Sequence, residues 1–499
     1  MNYIISRAIF DGYKAANWHV VIALLSIALG ILIHRRYFLG LSHVPGPFFA
    51  SITRLWHAHI IVKGDFHTRL MQLHKQHGHF VRIAHNEVSI SHPDGIARVL
   101  LAPLKKAPWY RAMAWPDYRF QNQMSALEPH AQKTITRYLA SGYTLTNLLQ
   151  AEQEFDRVVE MLLGCLDRID EKAKPIDLGK YLHFAIYDIA GEMFFSKPLG
   201  FLEAESDIGN AIGTVAKLNR YAAVAGFFYG VYTFLLANPL VTSMKILPMG
   251  YLNHLTTQAL DERMAATESR FDIFEHWLRE HEENPLGFTK RDIFSNIVFN
   301  IPAGSDSPAN VLHAIFYYVV RHPASHQRIR DEIDAAIAKG HCLTQVVSYV
   351  DAKNLVYLQA CIKESLRVYS ALAVSIPRVA GDGGVTIGEQ TFPKGTILSV
   401  NPWVMHYSKE CWGSDADQFK PERWLASDAA SKEKYLMSFG AGYNACPGQN
   451  LAKMELSKIT ATLLRDYDIQ PVAPDQDWSI TAHATVIPHS WPVYIKKRR

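Results

Sequence analysis

Cysteine is scarce in this chain. Five cysteines occur among 499 residues, and their odd number and wide spacing exclude the disulfide frameworks of small secreted domains. They are Cys165, Cys342, Cys361, Cys411 and Cys446. We therefore expect the body of the protein to face a reducing compartment.

A large excess of charge of one sign is also missing. The chain has 51 basic residues against 47 acidic ones, a net charge of +4, which is too weak to indicate a nucleic-acid partner. With 48% hydrophobic and 20% charged residues, the composition excludes a disordered, collagen-like or coiled-coil protein. A chain of this length can bury a large core, so an enzyme-sized globular body is expected.

Long apolar runs are absent apart from one near the N-terminus, at residues 20–33. This uncharged run is shorter than the roughly 20 residues that usually span a bilayer, so a cleaved signal peptide and a buried helix are alternatives to an anchor. Residues 37–39 continue the run beyond Arg35 and Arg36, whose side chains can snorkel, and no A-x-A cleavage site follows. The sequence therefore favours an uncleaved single span, with the following body on the cytosolic side.

Residues 44–47, Val-Pro-Gly-Pro, predict a stiff hinge after this segment. We predict two parts, an anchor with its flanks at 1–43 and one folded domain at 44–499 that contains no internal repeat. The apolar spacing of the domain predicts a mainly α fold with a minor β part. The predicted helices are 292–320, 325–339, 354–369 and 451–465, and the predicted strands are 80–83, 88–90, 374–379, 385–387 and 396–400.

The most informative stretch is the glycine-rich loop 439–448, Phe-Gly-Ala-Gly-Tyr-Asn-Ala-Cys-Pro-Gly, which runs into a predicted helix. Glycines allow the backbone to pass close to a flat cofactor, and a thiolate at a helix N-terminus is stabilised by the helix dipole and by free amide donors. Cys446 is therefore a candidate metal ligand. The alternative is a buried structural cysteine, which is the more common role of a lone cysteine.

This loop resembles the F-x-x-G-x-[R/H]-x-C-x-G signature of the cytochrome P-450 family. The match falls on Phe439, Gly442, Cys446 and Gly448, and in this composition it arises by chance with a probability of roughly 8 × 10⁻⁴. Within the family, the chain resembles the pisatin demethylase-like fungal branch. The resemblance implies a cytochrome P-450 fold behind an N-terminal transmembrane helix, haem b with Cys446 as the axial ligand to iron, and monooxygenation with O2 and NADPH electrons.

Glu364 and Arg367 stand at positions i and i+3 of a predicted helix, where they can pair. Such an E-x-x-R pattern is expected roughly once by chance in a chain of this length. It precedes residues 419–424, Phe-Lys-Pro-Glu-Arg-Trp, in an order that resembles the family's, where a second arginine joins a buried Glu-Arg-Arg cluster. The resemblance thus implies a structural role for Glu364, Arg367 and Arg423.

Residues 303–307, Ala-Gly-Ser-Asp-Ser, resemble the oxygen-activation motif A-G-x-[D/E]-T of the same family. An acid beside an alcohol can pass protons to dioxygen, so Asp306 and Ser307 are the candidate catalytic residues. Pro302 and Pro308 each remove a helical hydrogen bond, which we expect to open the helix locally. Without the cysteine loop, a helix cap or an exposed Asp-Ser pair would be the simpler interpretation.

Four positions concern the haem propionates that the resemblance implies. Arg378 matches an arginine of the family's β segment, and His130 matches the start of its [W/H]-x-x-x-R element. However, Thr134 stands where that element has arginine, and Asn444 where the signature has arginine or histidine. Each lost charge-assisted hydrogen bond is worth about 1.5–3 kcal/mol. The alternative cations nearby are Lys133 and Arg137.

Four lysines bracket the cysteine loop and the helix after it, namely Lys432, Lys434, Lys453 and Lys458. They form either a solvated basic face or, as the resemblance implies, a docking surface for an NADPH-cytochrome reductase at the endoplasmic reticulum membrane.

The segments expected to line a substrate pocket are mostly apolar, at residues 112–117, 221–228, 300–307, 374–376 and 482–486. They predict a hydrophobic small molecule as substrate, and analogy to the fungal branch suggests a secondary metabolite. Two rival functions stay open. One is a haem-thiolate enzyme that catalyses oxidative rearrangement, ring expansion or coupling without net oxygen insertion. The other is a non-enzymatic haem-binding protein, which the missing propionate cations would allow.

Overall fold

The computed structural model describes residues 2–171, 174–244, 250–265 and 270–498. Within these ranges helices dominate and short strands form four sheets, which confirms the predicted mainly α fold with a minor β part.

The α-helices in chain order are α1 (Asn2–Tyr37), α2 (Phe48–Ile52), α3 (Leu55–Lys63), α4 (Phe66–His77), α5 (Pro129–Ala140), α6 (Leu145–Gln150), α7 (Glu152–Asp170), α8 (Leu178–Phe195), α9 (Phe201–Ala204), α10 (Ala211–Ala225), α11 (Tyr229–Leu235), α12 (Pro239–Ser243), α13 (Gly250–Ala265), α14 (Ile273–Glu283), α15 (Lys290–Arg321), α16 (Pro323–Ala338), α17 (Tyr349–Asn354), α18 (Val356–Val368), α19 (Pro402–His406), α20 (Lys409–Trp412), α21 (Ala429–Glu433) and α22 (Gln449–Asp466). A π-helical turn covers Ile96–Leu101, and 3-10 turns include Pro108–Met113, Pro421–Trp424 and Gly442–Asn444.

The strands are β1 (Phe80–Ala84), β2 (Glu87–Ile90), β3 (Lys105–Lys106), β4 (Ile176–Asp177), β5 (Ile376–Val379), β6 (Val385–Ile387), β7 (Gln390–Phe392), β8 (Ile397–Val400), β9 (Tyr467–Pro471), β10 (Ile480–Ala482), β11 (Val486–Pro488) and β12 (Pro492–Lys497). The largest sheet has the order β1-β2-β8-β5-β3. The predicted strand pair is confirmed, since β1 and β2 are antiparallel with Phe80 opposite Ile90. β8 runs parallel to β2 and antiparallel to β5.

The long helix α15 lies at the centre of the core, packed along α8 and against α18 and α22. A capping box starts it, because the Thr289 side chain accepts from the Asp292 amide while the Asp292 carboxylate accepts from the Thr289 amide. The helix continues through Pro302 and Pro308 without a break. The local opening expected at the two prolines therefore does not divide α15.

The N-terminal helix α1 contains the apolar run. Its residues Trp18–Tyr37 are long and apolar enough to cross a membrane, and none of this window is buried against the rest of the chain. The helix thus extends the run predicted at 20–33 to a length that suits a bilayer.

A buried arginine of β1, Arg82, joins the end of α1 to the body. Its guanidinium donates to the carbonyl oxygens of Arg35 at 2.5 Å, Arg36 at 3.0 Å and Leu41 at 3.1 Å. The bonds to Arg35 and Arg36 satisfy carbonyls that α1 leaves free at its C-terminus, and the bond to Leu41 holds the chain that follows the helix. In the hinge, a Cβ on Gly46 would lie 2.4 Å from the Arg82 carbonyl oxygen, so glycine is required for this close approach. The end of α1 is therefore fixed to the first sheet.

Candidate functional site

The cysteine loop turns back on itself before α22. Its glycines at 440 and 442 have φ of 70° and 65°, and a Cβ on Gly442 would lie 2.4 Å from the Leu100 carbonyl oxygen. The Cys446 amide donates to the Phe439 carbonyl at 2.8 Å, which closes the loop. Cys446 is exposed, whereas the other four cysteines are buried. The loop therefore presents one accessible thiol three residues before the start of α22.

The electrostatics of this thiol differ from the expectation. Although the residue as a whole is exposed, desolvation of its thiol within the loop raises the pKa of Cys446 to about 11, and a hydrogen bond from the Gly448 amide partly offsets the effect. The expected stabilisation of a thiolate by an amide at the helix start is present, but burial outweighs it. A metal at this position must displace the thiol proton, because the thiolate is the ligand form.

Glu364, Arg367 and Arg423 form a fully connected ionic cluster behind the loop. Arg367 binds Glu364 in a bidentate pair at 2.7 and 2.9 Å, and the Arg423 Nε donates to the same carboxylate at 2.9 Å. Trp424 and the amide of Lys420 add two further donors at 3.0 and 2.9 Å. All three charged side chains are buried. The Glu364 carboxylate therefore accepts five hydrogen bonds from two segments of chain, α18 and residues 420–424.

Two hydrogen-bonded contacts connect this cluster to the cysteine loop. Arg367 donates to the His406 carbonyl at 2.7 Å, and the His406 Nε2 accepts from the Met437 amide at 2.8 Å. Ser438 donates to the Leu366 carbonyl at 2.8 Å. Burial and the nearby Arg367 lower the pKa of His406 to about 3, so its imidazole stays neutral and keeps an acceptor nitrogen. The cluster thus holds the chain that enters the loop.

On α15, Asp306 and Ser307 point to different partners. Ser307 keeps accessible surface, and its hydroxyl donates to the Ala303 carbonyl at 2.8 Å, which leaves its lone pairs free to accept. Asp306 is buried and accepts from Asn219 and from Thr485, each at 3.3 Å. Burial raises the pKa of Asp306, so this carboxyl can hold a proton nearer neutral pH.

Polar groups with unused hydrogen-bonding capacity lie beside the cysteine loop. Arg378 of β5 is buried, its guanidinium lies 5.6 Å from the Tyr443 ring, and its Nε lacks a partner among the described residues. The buried amide oxygen and nitrogen of Asn444 also lack one in the described part of the chain. A thiol ligand beside a guanidinium and an amide fits a haem, whose propionates need such donors.

A lysine that the sequence did not single out lies next to Arg378. Lys106 of β3 pairs with Arg378 in the sheet and is buried. Its Nζ donates to the carbonyls of Gln123 and Met124 and to the Gln132 side chain, at 2.8, 3.0 and 3.2 Å. Burial, and then the charge of Arg378, lower the pKa of Lys106 to about 6. Lys106 therefore holds the 123–124 segment to β3, next to Arg378.

Comparison with known proteins decides the family. The family model for cytochrome P450 matches residues 44–495. The chain belongs to the cytochrome P450 family. Membership makes it a monooxygenase, an oxidoreductase that uses haem and O2.

Named relatives of this P450 are fungal enzymes. The cytochrome P450 monooxygenase cicH of Emericella nidulans is 31% identical over 93% of this chain and 95% of its own length. Pisatin demethylase of Fusarium vanettenii is 28% identical over 97% and 95%, and the monooxygenase pkfB of Emericella nidulans is 30% identical over 92% and 91%. The predicted resemblance to the family and to its pisatin demethylase-like members is therefore confirmed.

The helix α5, which has Thr134 where the family element has arginine, packs against the 3-10 turn Gly442–Asn444. His130 is exposed near its start, and its carbonyl accepts from the Thr134 hydroxyl at 3.1 Å. Lys133 and Arg137 are also exposed, and the Arg137 guanidinium lies 5.1 Å from the Tyr138 ring. The cations of α5 are therefore exposed, whereas the predicted propionate residue Arg378, in β5, is buried.

The predicted basic surface needs one correction. Lys458 is buried inside α22, where its Nζ pairs with Asp156 at 2.7 Å and with Glu152. It cannot contribute to a docking surface. Lys434 and Lys453 are exposed, and Lys432 is partly exposed and pairs with Asp428 at 2.8 Å.

The predicted pocket segments of the P450 converge in two apolar clusters. The first combines Ala112 and Met113 with Ala222 and Ala225, with Phe299 of α15 packed against it. The second combines members of three segments, namely Ala223, Val374 and Ala484. Asn219 of α10 donates at 3.0 Å to Thr485, and both side chains donate to Asp306, so one polar corner lies beside these apolar surfaces.

Proposed function

We propose that this P450 is a membrane-anchored monooxygenase that inserts one oxygen atom into a hydrophobic small molecule, with electrons that NADPH supplies through an NADPH-cytochrome reductase. Residues 1–43 form the anchor in the endoplasmic reticulum membrane and residues 44–499 the cytosolic haem-thiolate domain. The observation that carries the proposal is the accessible thiol of Cys446, presented on a glycine-dependent loop beside the buried guanidinium of Arg378.

In this proposal Cys446 would ligate the iron of haem b through its thiolate. The bound haem would supply the binding and activation of dioxygen. Arg378 and His130 would hold its propionates, and Gly442 and Gly448 would let the loop backbone approach it closely. Phe439 lies under the exposed Lys453, 5.6 Å from the ammonium to the ring, and shields the loop on that side.

Asp306 and Ser307 are proposed to deliver protons to dioxygen. Each turnover takes up two electrons and two protons, with one oxygen atom going to the product and the other to water. Ser307 has accessible lone pairs, and Asp306 is a buried carboxyl whose pKa is raised by burial. An alcohol and an acid on adjacent residues of one helix can therefore pass protons inward.

The apolar clusters support a hydrophobic substrate. They combine residues of α10 and α15 with the segments around 112 and 374. The polar contacts described beside them involve three side chains, Asn219, Thr485 and Asp306. The named relatives are fungal monooxygenases, and one carries the name of a demethylase that acts on pisatin. We propose a secondary metabolite with one polar group as the substrate class.

The product separates the proposal from its rivals. The full chain would be expressed in a host that supplies a reductase, and its metabolites compared with and without the enzyme under 18O2. We expect a product one labelled oxygen heavier than its precursor. A demethylation would instead give a product that has lost CH2, with the labelled oxygen in the released formaldehyde. A product with neither change would favour rearrangement or radical coupling, and NADPH consumption that no substrate stimulates would favour a haem-binding protein.

Replacing Ser307 by alanine tests the relay. Haem binding should persist, whereas product formed per NADPH should fall tenfold or more, with peroxide increasing, because the hydroxyl that passes protons is lost. Ser307→Thr, which keeps the hydroxyl, should resemble the parent. Ser305 offers a matched control, since its hydroxyl makes the same bond to the carbonyl four residues earlier, at 2.8 Å to Ile301. If Ser307→Ala formed as much product per NADPH as the parent, the result would contradict the relay.

The anchor predicts a defined protease pattern. In intact microsomes, added protease should digest the cytosolic body, because the single span at Trp18–Tyr37 leaves residues 44–499 outside the lumen. An N-terminal fragment that contains α1 should stay with the membrane. N-terminal sequencing and immunoblotting measure both. A mature chain that begins near His34, or a body protected from protease, would mean a cleaved signal and export instead.

A further inference from the structure

A cleft of about 370 Å³ is lined in part by His183, a neighbour of Asp306. It is bordered by the start of α8, the segment before α10, the second half of α15 and the residues that follow β11. Its rim is exposed at Lys180, Ser206 and His489, whereas Gly179 and His313 in its wall are buried. Water from the surface therefore has access to a set of ionisable groups next to the buried core.

His183 connects this cleft to Asp306. Its Nδ1 lies 2.8 Å from the Gly179 carbonyl oxygen, and because a carbonyl only accepts, this nitrogen carries a hydrogen. The remaining nitrogen, Nε2, lies 3.8 Å from the Asp306 Oδ1. A side-chain shift of about 1 Å brings the two atoms to hydrogen-bonding distance. The imidazole thus has one fixed nitrogen and one that faces the acid.

The other contacts of Asp306 leave this oxygen to His183. Asn219 and Thr485 both donate to Oδ2, at 3.3 Å each. Neither Asn219 nor Thr485 is a base that takes up a proton, and the hydroxyl of the neighbouring Tyr187 is buried with its pKa raised by burial. Among the described residues, His183 is the base within 4 Å of the acid. A buried carboxyl that gives up protons must regain them, and His183 is in place to return them.

The rest of the cleft keeps charged groups around His183. The ionisable side chains that line it are Asp177, Lys180, Asp207, His313 and His489. His313 is held in place, because a Cβ on Gly179 would lie 2.5 Å from its Nδ1, and burial lowers its pKa to about 4. It therefore stays neutral, and its Nε2 has no hydrogen-bond partner in the described ranges. Such a nitrogen suits an ordered water on the way to His183.

We propose that His183 is the proton inlet of this P450, taking protons from water in the cleft and passing them to the Asp306 carboxylate. The inference rests on the proposed relay role of Asp306. For each proton that Asp306 gives toward dioxygen, His183 as imidazolium transfers its Nε2 proton to the carboxylate and becomes neutral, and a proton from bulk solvent, carried through cleft water, then re-forms the imidazolium. The other hydrogen stays on Nδ1, which donates to the Gly179 carbonyl throughout. His183 acts through Asp306 and touches neither the haem nor the substrate in this scheme.

The test replaces His183 by glutamine, which keeps a polar side chain but cannot take up a proton. The reduced-carbonyl spectrum of the full-length holoenzyme should be unchanged, while product per NADPH should fall tenfold or more and the solvent deuterium effect on turnover should increase. His322→Gln is the matched control, because its Nδ1 makes the same bond to a carbonyl four residues earlier, at 2.7 Å to Tyr318. It should resemble the parent. His183→Asn, which also removes the base, should repeat the loss.

A double-mutant comparison distinguishes the inlet from a packing role. In an Asp306→Asn background, His183→Gln should cause no further loss of product per NADPH, because both changes interrupt the same proton path. Independent losses, or a parent-like isotope effect in both His183 variants, would overturn the inlet while leaving the monooxygenase proposal intact. A parent enzyme without the thiolate-type spectrum or without NADPH-dependent product would instead contradict the proposed function itself.

Discussion

Replacing Cys446 by serine is expected to abolish the red-shifted reduced-carbonyl spectrum and NADPH-driven product formation. The spectrum reports a thiolate on iron, and Cys446 is the accessible cysteine of this chain. Its thiol has a pKa of about 11 in the protein alone, but a metal can still displace that proton. A serine hydroxyl is far less acidic and less polarisable, so it cannot supply the same ligand. Absorbance of the reduced, carbonyl-bound holoenzyme is the measurement.

Cys165→Ser is the matched control for this change. Cys165 is buried in α7, and its sulfur lies 3.6 Å from the Leu202 carbonyl, a bond that a hydroxyl can also donate. This variant should keep the spectrum and the activity of the parent. A Cys446→Ser protein that retains the red-shifted spectrum would place the ligand elsewhere in the chain and remove the basis of the proposed site.

The parts of the fold that the sequence predicts are those with strong local signals. The β1–β2 pair has alternating apolar residues on both sides of a short turn, and α15 and α22 have long apolar faces, so their positions are predicted within two residues. The predicted helix 354–369 corresponds to α18, Val356–Val368, within two residues at each end. The short helix α17, Tyr349–Asn354, lies before it and is not predicted.

The contacts that the sequence does not predict join residues far apart in the chain. Lys106 lies in a two-residue strand, too short for a periodic signal, and its role follows only from pairing with Arg378. Lys458 has the spacing of a surface lysine, yet it pairs with Glu152 and Asp156 some 300 residues earlier. The His183–Asp306 pair likewise joins α8 and α15. Charge alone does not indicate which face of a helix is buried.

The direction of the Cys446 pKa shift is likewise not predicted by the local sequence. A position before a helix predicts a lowered thiol pKa, because the dipole and free amides favour the thiolate. The structure provides one such donor, the Gly448 amide, but the surrounding protein removes water from the sulfur. Desolvation outweighs the hydrogen bond, so the net shift is upward. Burial is a property of the assembled fold, and the local sequence does not contain it.

Glu364→Gln is expected to destabilise the protein by roughly 3–5 kcal/mol, because it leaves buried arginines without their shared carboxylate. Five donors from Arg367, Arg423, Trp424 and the Lys420 amide converge on the two carboxylate oxygens. A glutamine amide has one acceptor oxygen, and its NH2 group would face donors that it cannot satisfy. Denaturant unfolding measures the loss. Haem content should fall as well, because Arg367 holds His406, which accepts from the Met437 amide at the entrance to the cysteine loop.

Lys363→Met provides the matched control on the adjacent residue of α18. Lys363 pairs with Glu433 at 2.8 Å, but the two side chains are 43% and 56% exposed, so solvent screens the pair and its loss should cost no more than about 1 kcal/mol. The two variants remove an ion pair from one helix and differ in burial. If Glu364→Gln unfolded at the denaturant concentration of Lys363→Met and kept its full haem spectrum, the buried cluster would not be what holds the loop. A large loss in Glu364→Gln alone, together with reduced haem content, follows if the carboxylate fixes Arg367, and through it the chain that leads to Cys446.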